Sequence, residues 1–287
     1  MNQIKTHIVP PLDAPIRLQE YGVGIFEAAP TKSALKKALK QEYITVNNVI
    51  ASTATYINGG ERIQLRIPEK TLPKKELIFP LSTLFEDEHL AVVHKPAGIL
   101  VSGNSFRTIA RALQQNILAS TLADATIPQP VHRLDYATTG LLLVGKTSSS
   151  IRALNRLFED KKIEKSYYAV TIGRMPDSGT IISPIDGKPS ESSYRVEKTV
   201  ASKRFGALNL VLLQPKTGRR HQLRKHLSEI GNPILGDKEY GQEKLILHKK
   251  GMYLHAHSLR FEHPFKKEDI HVVDSLPENF EKIFNAS

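Results

Sequence analysis

The chain has 287 residues, with 40 Lys/Arg against 29 Asp/Glu, a formal net charge of +11 at pH 7, 40% apolar and 24% charged residues. That length holds one large domain, or one of about 200 residues with a small companion, and the composition excludes disordered and collagen-like chains. Cysteine is absent, which removes thiolate catalysis, disulfides, iron–sulfur clusters and cysteine zinc sites together.

In chain order, the N-terminus from Met1 to His7 lacks the apolar core of a targeting segment. Residues 1–75 carry 11 Lys/Arg and 6 Asp/Glu. Ala34, Leu35, Ala38 and Leu39 recur at helical spacing, with Lys32, Lys36, Lys37 and Lys40 between them, so the spacing predicts a helix with a lysine face. Tyr43–Val46 reads as a strand, Asn47-Asn48 as a turn, Val49–Ile57 as a returning strand and Arg62–Ile67 as a third. The lysines fit either a phosphate-binding row or a solvated helix face. Pro68–Pro80, with three prolines, reads as a linker and sets a domain boundary near residue 75.

Beyond it, residues 76–287 read as a mixed α and β body. Leu90–His94, Gly140–Val144, Tyr167–Ile172 and Leu208–Leu213 are strand candidates; Phe106–Leu118, Ile151–Glu159 and Gln222–Ile230 are helix candidates. The last is expected to stop at Gly231, with Pro233 beyond. The longest apolar runs, such as Leu141–Val144, are far shorter than the roughly 20 residues that cross a bilayer. A cytoplasmic protein with no membrane contact is therefore expected. The positive charge points to a polyanionic partner, nucleic acid first.

Three constellations carry candidate chemistry. Gly140–Thr147 satisfies the phosphate-loop pattern G-x-x-x-x-G-K-S/T, but its middle residues are Leu-Leu-Leu-Val. That run favours a buried strand, whose amides are spent on neighbouring strands and not on a nucleotide. Val131–Gly140 sets Asp135 between Arg133 and Tyr136, followed by Thr138 and Thr139; alone it is also compatible with an ordinary surface ion pair. Pro215–His226 packs Arg219, Arg220, Arg224 and Lys225 into seven positions with no acid before Glu229. A helix starting here would place Arg220 with Arg224, and His221 with Lys225, on shared faces, and Gly218 would let the chain turn into it. So dense a positive block needs a carboxylate or an anion nearby; Asp135 and an RNA phosphate are candidates. His255 and His257 on a strand would share a face, which permits chelation, but there is no H-E-x-x-H and no nearby carboxylate cluster; these histidines, and His221 with His226, read as structural or RNA-contacting, so no metal is expected.

These blocks resemble pseudouridine synthases of the RluA type. His132-Arg133-Leu134-Asp135 with Thr138–Leu142 is similar to the family's catalytic motif, and Lys165-Ser166-Tyr167 to its K-x-Y motif. Thr217–Arg224 continuing into Gly231–Asp237 and Tyr240-Gly241 is similar to the third block, Leu254–Ala256 with His263-Pro264 to the tail, and Val93–Gly98 to the opening strand. Arg17-Leu18, Thr31–Ala34, Ile44–Asn47 and Gly60–Ile63 resemble an S4-type RNA-binding domain. The resemblance implies an α+β fold: a largely antiparallel mixed sheet with flanking helices and a cleft, plus a small S4-like head. It implies isomerisation of uridine to pseudouridine in RNA, with no cofactor, because no group or electron is gained or lost.

Implied by the same resemblance, Asp135 is the essential catalyst, held ionised by a neighbouring guanidinium. Attack on the sugar, attack on the uracil and abstraction of a sugar proton are all open to it. Arg224 would pair with Asp135, and Tyr167 would contact the uracil. His132, Arg133, Arg219, Arg220, His221, Lys32 and Lys36 would contact substrate, Arg133 filling the space of an unstacked uridine. The expected partner is RNA, ribosomal first and transfer RNA second, with no obligate protein partner. An inactive RNA-binding or ribosome-assembly factor on the same scaffold is the alternative, and a nucleotide hydrolase ranks third.

Overall fold

The computed structural model describes residues 3–29, 31–67, 77–247 and 251–284. The chain forms two compact units, residues 1–75 and 76–287. The segment read as a linker lies outside the described residues from 68 to 76.

The first unit contains β1 (Gln3–Ile8), β2 (Ile16–Arg17), α1 (Leu18–Tyr21), α2 (Lys32–Lys40), β3 (Ile44–Val46), β4 (Val49–Ile50), β5 (Tyr56–Ile57) and β6 (Arg62–Ile67). An antiparallel sheet runs β1-β6-β3-β4, and β2 pairs with β5. Thr31 caps α2 by accepting the Ala34 amide at 3.2 Å. Leu35, Ala38 and Leu39 then enter the core beside Ile44, Ile57, Ile63 and Leu65. The single strand expected over Val49–Ile57 is instead two strands in different sheets. A turn at Ser52–Thr55, where the Ser52 amide donates to Thr55 Oγ1 at 2.8 Å, breaks it.

The second unit is built on β7 (Thr83–Glu86), β8 (Leu90–Lys95), α3 (Ile109–Asn116), β9 (Ala125–Pro130), β10 (Thr139–Thr147), α4 (Ser148–Glu159) and β11 (Glu164–Ile172). It continues through β12 (Ser178–Ile182), β13 (Glu191–Ser202), β14 (Gly206–Pro215), α5 (Gln222–Glu229), β15 (Leu254–Glu262), β16 (Asp269–Val273) and α6 (Glu278–Phe284). A ten-stranded sheet runs β12-β13-β14-β11-β15-β10-β8-β7, with β16 on β15 and β9 on β10. Every pairing is antiparallel except β10 with β15.

Alternation along β8 and β10 feeds two cores. Ala91, Val93, Leu142 and Val144 pack under α3, while Leu90, Val92, Leu141 and Leu143 pack under α4. Both faces are covered, which is why Leu-Leu-Leu-Val is uninterrupted by polar residues. The segment matching the phosphate loop is thus a central strand, and Lys146 spends its ammonium on Glu86 at 2.8 Å and on the Asp87 carbonyl. Thr147 is the N-cap of α4, its hydroxyl accepting the Ser150 amide at 3.0 Å while Ser150 Oγ accepts the Thr147 amide at 3.1 Å. The helix expected over Phe106–Leu118 is shorter, because Thr108 is its extended N-cap and Ile117 returns to extended backbone.

Candidate active site

The loop between β9 and β10 carries His132, Arg133, Leu134 and Asp135. Leu134 is buried in the core under α3. The His132 ring turns inward, where its Nε2 accepts the Leu143 amide of β10 at 2.9 Å and its face lies 4.9 Å from Phe158. Burial, assisted by Lys165, pushes the imidazole pKa down to about 3, so it is a neutral acceptor. Its Nε2 is thereby engaged with a strand amide of the fold.

The far side of the loop is fixed by Lys95, which is fully buried. Its ammonium donates to the carbonyls of Thr138 at 2.7 Å, Pro96 at 2.9 Å and Tyr136 at 3.3 Å. Burial lowers its pKa to about 8, with the Asp135 charge opposing. The Gly98 amide donates to Tyr136 O at 2.8 Å, and the Thr138 amide to Asp135 O at 3.1 Å. Gly140 then brings β10 against β15 with φ +107, where a Cβ would collide with the Ala256 backbone.

Asp135 faces α5. Its Oδ2 lies 3.4 Å from Arg224 Nη1 and its Oδ1 lies 3.7 Å from His221 Nε2. The principal partner of Arg224 is Asp237, joined in a bidentate pair at 2.7 and 2.8 Å, with Glu239 at 3.1 Å and the Tyr240 ring 4.8 Å from the guanidinium carbon. Burial opposes the Arg224 charge, yet these three carboxylates raise its pKa further. Asp237 pays for burial too, but the guanidinium and the amides of Glu239 and Tyr240 hold its pKa below the usual range.

Tyr167 stands on β11, half-buried between two cores. Burial first, and the Asp135 charge second, raise the phenol pKa, so the hydroxyl keeps its proton. His221 adopts φ +56 and bonds Tyr240 Oη at 2.9 Å; burial lowers its pKa against the pull of Asp135. The helix starts only at Gln222, so Arg220 and His221 precede it and share no helix face with Arg224 and Lys225. The sharp turn into α5 is made at His221 and not at Gly218. Gln222 locks this corner: its Oε1 accepts Thr217 Oγ1 and the Arg219 amide, and its Nε2 donates to Glu191 O and Ser192 Oγ.

Among the sequence candidates, Asp135 therefore lies against Arg224 and His221, and its charge reaches Tyr167. Arg133 and Arg220 are exposed, and Arg219 is exposed with its Nε donating to Pro189 O at 3.3 Å. Lys32 and Lys36 belong to the first unit; Lys32 is paired with Glu20 at 2.6 Å and Lys36 is exposed. Sequence reasoning missed Lys95, Asp237 and Glu239 as partners. The signal was present in the surplus of cations near Asp135, which one carboxylate cannot balance. His226 bonds Ser192 Oγ and Ser183 O, and His257 Nδ1 bonds Asp274 O. Among the described residues no group of three or more His, Asp or Glu is arranged to hold a metal ion.

Residues 89–229 match the family described as RNA pseudouridylate synthase. An uncharacterized RNA pseudouridine synthase of Aquifex aeolicus is 32% identical over 280 residues, 89% of each chain. The ribosomal large subunit pseudouridine synthase D of Nitrosomonas europaea is 30% identical over 89% of this chain and 80% of its own. Human RNA pseudouridylate synthase domain containing 1 superposes with a TM-score of 0.57 at 25% identity, over 68% of this chain and 83% of its own. Fold, motifs and relatives together define an RNA-modifying isomerase. The chain belongs to the RNA pseudouridine synthase family, as the motif resemblance implied.

Proposed function

We propose that the enzyme isomerises uridine in ribosomal large-subunit RNA, with Asp135 as the catalytic residue. The N-glycosidic bond breaks, the uracil turns and C5 joins the ribose, releasing the C5 proton. Asp135 is the charged group that meets the nucleoside, either at the sugar or at the base. Arg224 holds that carboxylate in place and is itself held by Asp237 and Glu239. Tyr167, protonated, lies against the uracil and supplies a stacking face and a hydrogen-bond donor. The observation that carries the reading is the loop of Asp135: Lys95 pins its backbone, His132 anchors its start and a guanidinium faces its carboxylate. Such fixed geometry around one carboxylate is what a positioned catalyst needs.

A stacked uridine does not expose its glycosidic bond, so the nucleotide is everted at a cost of a few kcal/mol. Arg133, exposed beside Asp135, fills the gap it leaves, and Arg219, Arg220 and His221 line the approach. Residues 1–75 act as an S4-like RNA-binding head, with Lys36 on its exposed helix face. With a ribosomal substrate, the enzyme would work in the cytoplasm. What supports the substrate is that several relatives are named as ribosomal large subunit pseudouridine synthases. The test is tritium release from transcripts labelled at uridine C5. Release from large-subunit RNA is expected; release only from transfer RNA would move the substrate, and no release from either would contradict the reading.

A further inference from the structure

Lys165 and Tyr167 stand two residues apart on β11, about 7 Å along the strand, and the pairing of β11 with β15 shifts register between them. Other buried cations in this unit are answered within the fold: Lys95 by three carbonyls, Lys146 by Glu86, Arg224 by three carboxylates. Lys165 is different. It is half-buried, and among the described residues its ammonium meets neither a carboxylate nor a hydrogen-bond acceptor. Its neighbours are the Phe158 ring, with Nζ 5.7 Å from the centroid, and the backbone at Gly218, where a Cβ would stand 3.9 Å from Nζ. Burial lowers its pKa.

An ammonium taken partly out of water and met only by a ring face is a net cost to folding. An anion arriving from outside offsets that cost. Gly218 leaves open space over Nζ, since no side chain projects there, and the next two residues, Arg219 and Arg220, are exposed cations. Lys165 thus reaches the residue that directly precedes two exposed arginines in the chain and has no side chain of its own. A phosphodiester fits both the charge and the room, and a lysine serves it as a point charge.

We propose that Lys165 binds a phosphodiester of the RNA next to the target uridine, received over Gly218. The proposal rests on the assignment of Asp135 and Tyr167 to the reacting nucleoside: with the uracil at Tyr167, the phosphate of the same or adjoining nucleotide falls at Lys165. Full-length Lys165→Met and Lys165→Arg are compared with the wild type for affinity to a large-subunit ribosomal RNA transcript over a range of salt. Lys165→Met is expected to bind about tenfold more weakly at low salt, the size of one charge-assisted hydrogen bond. Its slope of log affinity against log salt should shrink by about 0.7–0.9, one phosphate contact, and the free protein should melt higher because an unanswered charge is gone. Lys165→Arg should keep affinity and slope. Unchanged affinity and slope in Lys165→Met would overturn the proposal. So would weaker binding accompanied by a lower melting temperature and an unchanged slope, which marks a packing role. Tritium release by the wild type, measured alongside, separates this from the parent reading: if it is absent, the assignment of the active site falls; if it is present while Lys165→Met binds normally, only the phosphate contact falls.

Discussion

Arg224 faces three carboxylates and does not divide itself equally among them. Asp237, almost fully buried, takes two short hydrogen bonds, while Asp135 receives one at 3.4 Å and stays partly open to solvent. The guanidinium is thereby anchored mainly by Asp237, which leaves Asp135 free for the role proposed for it, meeting a nucleoside. Replacing Arg224 by Met leaves Asp237 buried without its partner. The expected loss is about 3–5 kcal/mol of stability, read as a lower urea midpoint, together with loss of turnover. A variant as stable as the wild type would contradict the anchoring role of Asp237. Lys95 makes a second case. Lys95→Met removes the donor from the carbonyls of Pro96, Tyr136 and Thr138, costing on the order of 3 kcal/mol, and should lower the single-turnover rate more than RNA affinity. Equal losses in rate and affinity would show that the loop is not its target.

At the scale of elements, the loop–strand junction His132–Thr147 does most of the positioning. His132 must be neutral to accept the Leu143 amide, and burial holds its pKa near 3; His255, bonded to Thr139 Oγ1, is likewise pushed down to about 4. Unfolded, both bind protons near pH 6.5. The unfolded state therefore gains protons first, and stability is full above about pH 6.5 and declines as pH falls toward 4, by at most about 1.4 kcal/mol per pH unit for each histidine. The urea midpoint should drop between pH 7 and pH 5, and less so in His132→Gln; an equal or higher midpoint at pH 5 would contradict this. The sequence made this junction legible only in part. The Leu141–Val144 run announced a buried strand because both its faces need apolar neighbours, and α2 and α5 were readable from periodicity and stop signals. Strands β12, β13 and β16 were not: each pairs with a strand next to it in the chain, but few residues of each are buried, so the apolar signal is short. Asp237 was visible as a residue but not as the partner of Arg224, since a contact thirteen residues away through a turn leaves no periodic trace.

The whole molecule carries a charge of +11, and its partner, RNA, is a polyanion. Binding should therefore weaken steeply with salt. Within that, Lys36 tests the head: Lys36→Glu in the full chain should reduce the salt slope by about 0.7–0.9, and an unchanged slope would remove this lysine from the RNA interface. The proposed function rests finally on one side chain, Asp135. The most direct measurement is single-turnover tritium release from C5-labelled large-subunit RNA by Asp135→Asn, with the dissociation constant of the same RNA measured in parallel. The account predicts wild-type affinity and no release above background; release at a rate near that of the wild type would contradict it.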